Sequence, residues 1–399
     1  MPTVWTFAVN ADEIKQHLQG RNTSVRPALL CLHRSEAATL LELPALDSPE
    51  AVEQAAAQLR AAVCDAVVVT GDGSDYADTP QASGWLSLPA SALGTSDANA
   101  VFAGVAAQAL ASGFVAMEAI ILGAMARNDA LRQHAEGGAP QPRPDFAQRI
   151  GNLPFFSLPQ ASKVSGFAPL IDADLGLYAV VDSAAWVARV VAAGVRTVQL
   201  RIKDAQGPEH RAMVREEIRQ SIVAATNAGA QLFINDHWQL AIEESAYGVH
   251  LGQEDLHIAD LAAIARAGLR LGISTHAYWE VCRAWALQPS YIACGPIHQT
   301  QAKAMPWIPQ GKDNLAYWCS LLPTPVVGIA GMDVARTEEA AACGAAGVAL
   351  ISAITAAPSP EAAMSELQQA LQRGRSGPAI PAPLLPRPTL ASTSNRSKP

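Results

Sequence analysis

The stretch QLFINDHWQLAIEESAYGVHLGQEDLHIADLAAIARAGLRLGIST, residues 231–275, decides how the chain is read. It holds three short apolar runs, QLFIND (231–236), YGVHLG (247–252) and RLGIST (270–275), and the intervening LAAIARAG spaces its apolar residues by three and four. Runs that are apolar almost throughout suit parallel strands covered on their outer side by helices. Outward from this stretch the theme repeats. LGLYAVV (175–181) and VRTVQLR (195–201) come before it, and YIACGPI (291–297), PVVGIAG (325–331) and GVALIS (347–352) follow. Eight strand–helix units in so short a segment predict a (β/α)8 TIM barrel. A doubly wound open sheet is the alternative, but no Gly-rich first turn supports it.

In such a barrel, polar residues at the carboxyl ends of strands are functional candidates. Gln199, Arg201 and Lys203 alternate at the end of the second strand and so point one way. The third strand ends in Asn235-Asp236, the fourth runs into Gln253-Glu254-Asp255, and the fifth ends in Ser274-Thr275-His276. The sixth opens into GPIHQTQAK with Thr300 and Lys303, and the last two end in Gly331 and in Ile351-Ser352. Any one of these has a bland reading as a solvated charge or a helix cap. Their convergence from six strands points to anion chemistry. Arg201, Lys203 and Lys303 supply positive charge, and two Asp side chains suit one Mg²⁺ shared with phosphate oxygens. Backbone N–H groups after the last two strands suit a second, monophosphate-sized anion.

The whole chain has 399 residues, half of them hydrophobic and 16% charged, with a net charge of −8. This is ample for two domains with large cores and argues against a nucleic-acid surface. The six cysteines are scattered with no C-x-x-C pair, which suits reduced thiols. The opening MPTVWTFAVNADEIKQH lacks a basic region followed by an apolar stretch, so a cytoplasmic protein is expected. Val101–Ala126 is long and apolar enough to suggest a membrane span. Gln108, Ser112, Glu118 and the Gly113-Phe114 break predict two buried helices instead. Histidines 237, 250, 257, 276 and 298 lie in or near strands, but no H-x-E-x-H or i,i+4 pair supports zinc. Small phosphorylated molecules are the expected partners, and a homo-oligomer stays open.

The domains expected are residues 1–135, a Pro/Gly-rich linker over 136–172, the barrel over 173–372, and a disordered Pro/Ser-rich tail over 373–399.

With these residues assembled, the segment from Leu175 to Leu371 resembles thiamine-phosphate synthase, through TVQLRIKD, LFINDHWQLAIEESAYGVHLGQEDL, LGISTH, the G-P-I…T…K loop and GVALISAI. The resemblance implies a barrel enzyme that joins 4-amino-2-methyl-5-(diphosphooxymethyl)pyrimidine to a thiazole phosphate, releasing diphosphate. It implies that Gln199, Arg201, Lys203, Asn235, Ser274 and Lys303 hold the pyrimidine diphosphate, and that Asp236 and Asp255 bind Mg²⁺. Arg201, Lys203 and Lys303 then carry the catalysis. Thr300, Ala302, Gly331, Ile351 and Ser352 stand at the thiazole-phosphate positions. Two departures weaken that phosphate site: Ala302 replaces a threonine of the family loop, and Ala330-Gly331 replaces paired glycines.

Residues Pro27–Arg132 resemble the C-terminal half of a ribokinase-like kinase, in particular hydroxymethylpyrimidine phosphate kinase. Gly94-Thr95-Ser96-Asp97 stands at its anion hole, with Ser96 in place of a glycine. With only about 26 residues ahead of the match, a partial, non-catalytic ribokinase-like α/β domain is expected.

Overall fold

The computed structural model describes residues 3–20, 25–71, 73–87, 96–157, 166–203, 207–299 and 306–391. It divides into two compact units, one of residues 1–162, 277–286 and 388–399, the other of 163–276 and 287–387.

Branched and aromatic residues build the strands of the first unit: β1 (Val4–Thr6), β2 (Leu29–His33), β3 (Val67–Thr70), β4 (Ser74–Asp78), β5 (Ser83–Ser87) and β6 (Phe155–Ser157). They lie in chain order in one sheet. β1 to β3 are parallel, and β4 to β6 each run antiparallel to the strand before. Leu30, Leu32, Val67 and Val69 are buried together with Ile14, Ala37, Val52, Ala55 and Leu59 of the helices Phe7–Leu18, Arg34–Leu40 and Pro49–Ala62. The apolar segment over 101–126 forms parts of two helices, Ser96–Ala111 and Ala116–Ala135, with Gly113 in the left-handed region (φ 92°) between them. Among the described residues no helix is long and apolar enough to cross a membrane.

Two expectations need correction. Residues 136–172 are not merely a linker: β6 extends the sheet, pairing Phe156 with Leu86, and Asn152 is fully buried. Nor are residues 373–391 disordered. The helix Pro360–Ser376 runs past residue 372, and the Arg387 backbone exchanges two hydrogen bonds with the Asn314 side chain, at 2.6 and 3.0 Å. Thr389 is fully buried, donating its N–H and O–H to Glu118 at 2.9 and 2.5 Å. Composition flags such segments because they cannot pair among themselves. Here single side chains elsewhere in the fold satisfy their backbone groups one residue at a time. Residues 392–399 lie outside the described residues.

All eight apolar runs of the second unit become strands: β7 (Gly176–Val181), β8 (Thr197–Leu200), β9 (Gln231–Asn235), β10 (Gly248–Leu251), β11 (Arg270–Thr275), β12 (Tyr291–Cys294), β13 (Val326–Ile329) and β14 (Gly347–Leu350). They pair in parallel and in order, and β14 closes on β7. Closure removes the exposed sheet edges, and near-continuous apolar strands are what a sheet buried on both faces requires. The register places Gln199 beside Phe233, His250 between Asn235 and Gly272, and Ser274 beside Ala293. Tyr178, Val180, Phe233, Tyr291, Ala293, Val327 and Ala349 pack together as the interior. Gly272 is required there, because a Cβ would lie 2.1 Å from the Tyr291 ring.

Candidate active site

Polarity enters the barrel along one line. Gln199 Nε2 donates to Tyr178 Oη at 3.2 Å, the Tyr178 and Tyr291 hydroxyls are 2.7 Å apart, Tyr291 Oη is 2.6 Å from His250 Nδ1, and His250 Nε2 is 2.8 Å from Ser274 Oγ. Tyr178 accepts from Gln199, and a neutral His250 donates through one ring nitrogen and accepts through the other, so Tyr291 and Ser274 take opposite roles toward it. Burial, with Arg201 adding repulsion, pushes the His250 pKa down to about 3, so the ring is neutral. Burial likewise raises the Tyr178 and Tyr291 hydroxyls above the usual range. Both His250 nitrogens are thus engaged within the barrel. The Ser274 carbonyl accepts from Gln253 Nε2 at 2.7 Å, tying the loop after β10 to the end of β11.

Beside this line stand two carboxylates. Asp236 follows β9 in the left-handed region (φ 62°), a conformation Asp and Asn tolerate better than other side chains, and its N–H donates to His250 O at 3.1 Å. Asp255 begins a single 3₁₀ turn, and its Oδ2 accepts from Gly252 N at 3.1 Å. Desolvation and then repulsion from Asp255 raise the Asp236 pKa to about 6, although Asn235 and Arg201 act to lower it. Carboxylates held close enough to oppose each other's ionisation are what a small divalent cation relieves. Among the described residues no three His, Cys, Asp or Glu gather as a metal cluster.

The other residues chosen from the sequence fall as follows. Gln199 and Asn235 are buried, Arg201 and Ser274 half-buried, and Lys203 exposed. Gly331 lies after β13, where Ala330 (φ 77°) and Gly331 (φ 69°) are both left-handed. The Ala330 replacement therefore keeps a glycine-like backbone, at a cost of roughly 1–2 kcal/mol. A Cβ on Gly331 would lie 2.8 Å from His298 Cβ, so glycine is needed there on steric grounds as well. Ile351 and Ser352 are exposed after β14. Thr300, Ala302 and Lys303 lie outside the described residues, as do Gly94, Thr95 and the side chains of Ser96 and Asp97.

Sequence reasoning missed Tyr178, Tyr291 and the part played by His250. The available signal was two tyrosines at inward positions of otherwise aliphatic strands.

The profile of the family described as Thiamine monophosphate synthase matches residues 177–354. A thiamine-phosphate synthase of Serratia proteamaculans is 51% identical over 199 residues, covering 50% of this chain and 92% of its own. The chain belongs to the thiamine-phosphate synthase family. The synthases of Photorhabdus laumondii and Neisseria gonorrhoeae agree, at 53% identity over 192 residues and 49% over 201, covering 87% and 96% of those proteins. Each match spans about half of this chain. The family model spans the barrel strands, residues 177–354.

Proposed function

We propose that this chain couples the pyrimidine diphosphate to the thiazole phosphate, giving thiamine phosphate and diphosphate. The observation that carries the reading is the meeting, at the carboxyl ends of the strands, of the Gln199–Ser274 line with the Asp236/Asp255 pair in a chain half of which is about 50% identical to known synthases. In the reaction the methylene C–O bond breaks and its electron pair leaves with diphosphate. The thiazole nitrogen then forms the new C–N bond with its lone pair. The difficult part is charge on the leaving group. Arg201, Lys203 and Lys303 neutralise it where it develops, and Gln199, Asn235 and Ser274 hold the pyrimidine in line for attack. Ser274, held by the neutral His250, contacts the pyrimidine substrate. No side-chain nucleophile is required.

Asp236 and Asp255 would hold Mg²⁺, which supplies further neutralisation of the diphosphate. The thiazole phosphate rests on backbone N–H groups around Gly331, Ile351 and Ser352, and the family resemblance assigns Thr300 and Ala302 to the same phosphate. The first unit we read as a partial ribokinase-like domain without kinase activity, and the protein as cytoplasmic.

The test is a coupling assay on the full chain with Mg²⁺ and both substrates, detecting thiamine phosphate directly. Asp236→Asn is the right control, because Asn keeps the left-handed backbone that Ala would strain. Product from the parent and a loss of about 10²–10³-fold in the variant is expected. No product from the parent at saturating thiazole phosphate would sink the proposal.

A further inference from the structure

We propose that Gln310 is a positioning residue for the phosphate end of the site. It acts through the chain segment Gly295–His298 on the Ala330–Gly331 turn. The inference rests on the reading above in one respect, that this turn receives the thiazole phosphate.

Gln310 immediately precedes the helix Gly311–Leu321 and is 1% exposed. Its Nε2 donates to Gly295 O and to His276 O, each at 3.2 Å, and its Oε1 accepts from Trp318 Nε1 at 3.3 Å. Its backbone N–H donates to Pro296 O at 2.8 Å, and the next residue, Gly311, donates to Ile297 O at 2.9 Å. One side chain therefore fastens the exits of β11 and β12 to the start of the following helix. The segment so held passes its position on. Ile297 N donates to Ile329 O at 2.9 Å, His298 N donates to Ala330 O at 3.2 Å, and His298 Cβ fills the space a Gly331 side chain would take.

A residue that merely filled this space would be apolar, since burying an amide is costly unless its groups are satisfied. Here the amide's two donors and its acceptor each meet a partner. Glu offers no donors, and Asn is too short to span the same three partners. Gln310 stands one peptide segment behind the turn, so its effect is on geometry and not on substrate contact. A displacement of about 1 Å at a site costs as much as about 100-fold in rate. The loss should fall on the thiazole phosphate, because the held segment carries that turn.

The experiment measures kcat and both KM values for the full-length parent, Gln310→Met, Trp318→Phe, Gly331→Ala and Lys303→Ala, each with a thermal melt. Amide exchange is followed at residues 296–299 and 328–331. Gln310→Met keeps the side-chain volume and removes all three bonds. It is expected to raise the thiazole-phosphate KM by about 10- to 100-fold, leave the pyrimidine-diphosphate KM within about twofold, and speed exchange in both segments. Trp318→Phe removes the donor that orients Oε1 together with part of a buried ring, and should raise the same KM by a smaller factor. If folded Gln310→Met keeps the parent's thiazole-phosphate KM, or loses only stability, the inference falls. Should Gln310→Met fail to fold, an unchanged KM in Trp318→Phe overturns it instead. Gly331→Ala, which crowds the turn directly, tests the underlying reading separately: an unchanged thiazole-phosphate KM there takes the phosphate off this turn whatever Gln310 does, and unimpaired turnover in Lys303→Ala removes Lys303 from the site.

Discussion

Both units hold charged groups close together, buried in the first and more open to solvent in the barrel, and they do so in opposite ways. In the first unit unlike charges are brought together. Arg127 and Asp75 form an ion pair with side chains 5% and 1% exposed, and Asp129 is gripped by the Arg143 side chain and backbone and by Asn152. Burial works against the Asp129 carboxylate, yet those hydrogen bonds hold its pKa below the usual range. In the barrel like charges are brought together: desolvation and the neighbouring Asp255 raise the Asp236 pKa, and Arg201, which acts to lower it, stands at the end of another strand. A matched pair neutralises itself and asks for nothing further. A mismatched pair is a standing demand for a cation or an anionic ligand's metal, and that difference separates scaffolding from a site.

The sharpest way to break this comparison is Asp75→Ala. It strands the buried Arg127 charge and is expected to cost about 3–5 kcal/mol in denaturant unfolding, with turnover per folded molecule unchanged. A drop in turnover per folded molecule would show that the first unit does more than support itself. Asp236→Asn should behave in reverse, losing coupling activity while unfolding at equal or higher denaturant than the parent, because a repulsion has gone. Equal loss of stability and activity would erase the distinction.

A titration sharpens it further. His250 is neutral in the fold with a pKa near 3, below the 6.5 of an unperturbed histidine. Between those values the unfolded chain binds the extra proton. Stability is therefore complete above pH 6.5 and falls as pH drops, by about 1.4 kcal/mol per pH unit. Raised pKa values at Asp236, about 6, and Glu118, about 7, slope the other way. The readout is thus the difference between parent and His250→Gln, which should lose the His250 slope between pH 4.5 and 6.5. Parallel profiles would mean that the ring is charged. The smallest effect expected is from Ala330→Gly. Relief of the left-handed strain, set against glycine's greater unfolded-state freedom, should give about 0.5–1 kcal/mol of stabilisation and no loss of thiazole-phosphate affinity. Destabilisation would show that the methyl group is a packing contact.

Much of the barrel was legible because its strands are local. Each is a short apolar run, and a polar residue at its end has one direction to face, so Gln199, Asn235, Asp236, Asp255 and Ser274 emerge from patterning alone. The supporting residues were not legible. Tyr178 and Tyr291 are 113 positions apart and meet through their hydroxyls only when the barrel closes. Nothing in the sequence marks Gln310, since its partners Gly295 O and His276 O are backbone atoms that carry no sequence signal. The order in residues 136–157 and 373–391 was hidden for the same reason. Asn314 and Glu118 lie 73 and 271 positions from the residues they hold.

By itself, then, the sequence determined the eight strands, their order and the polar residues at their ends. Alternation and burial follow from neighbouring residues under the covalent geometry of the chain. Tertiary structure alone decided which of those residues share a hydrogen-bonded line, which carboxylates oppose each other, and which buried amide ties Gly295 and His276 together. Such contacts depend on closure of the sheet, which brings together groups that no local period connects.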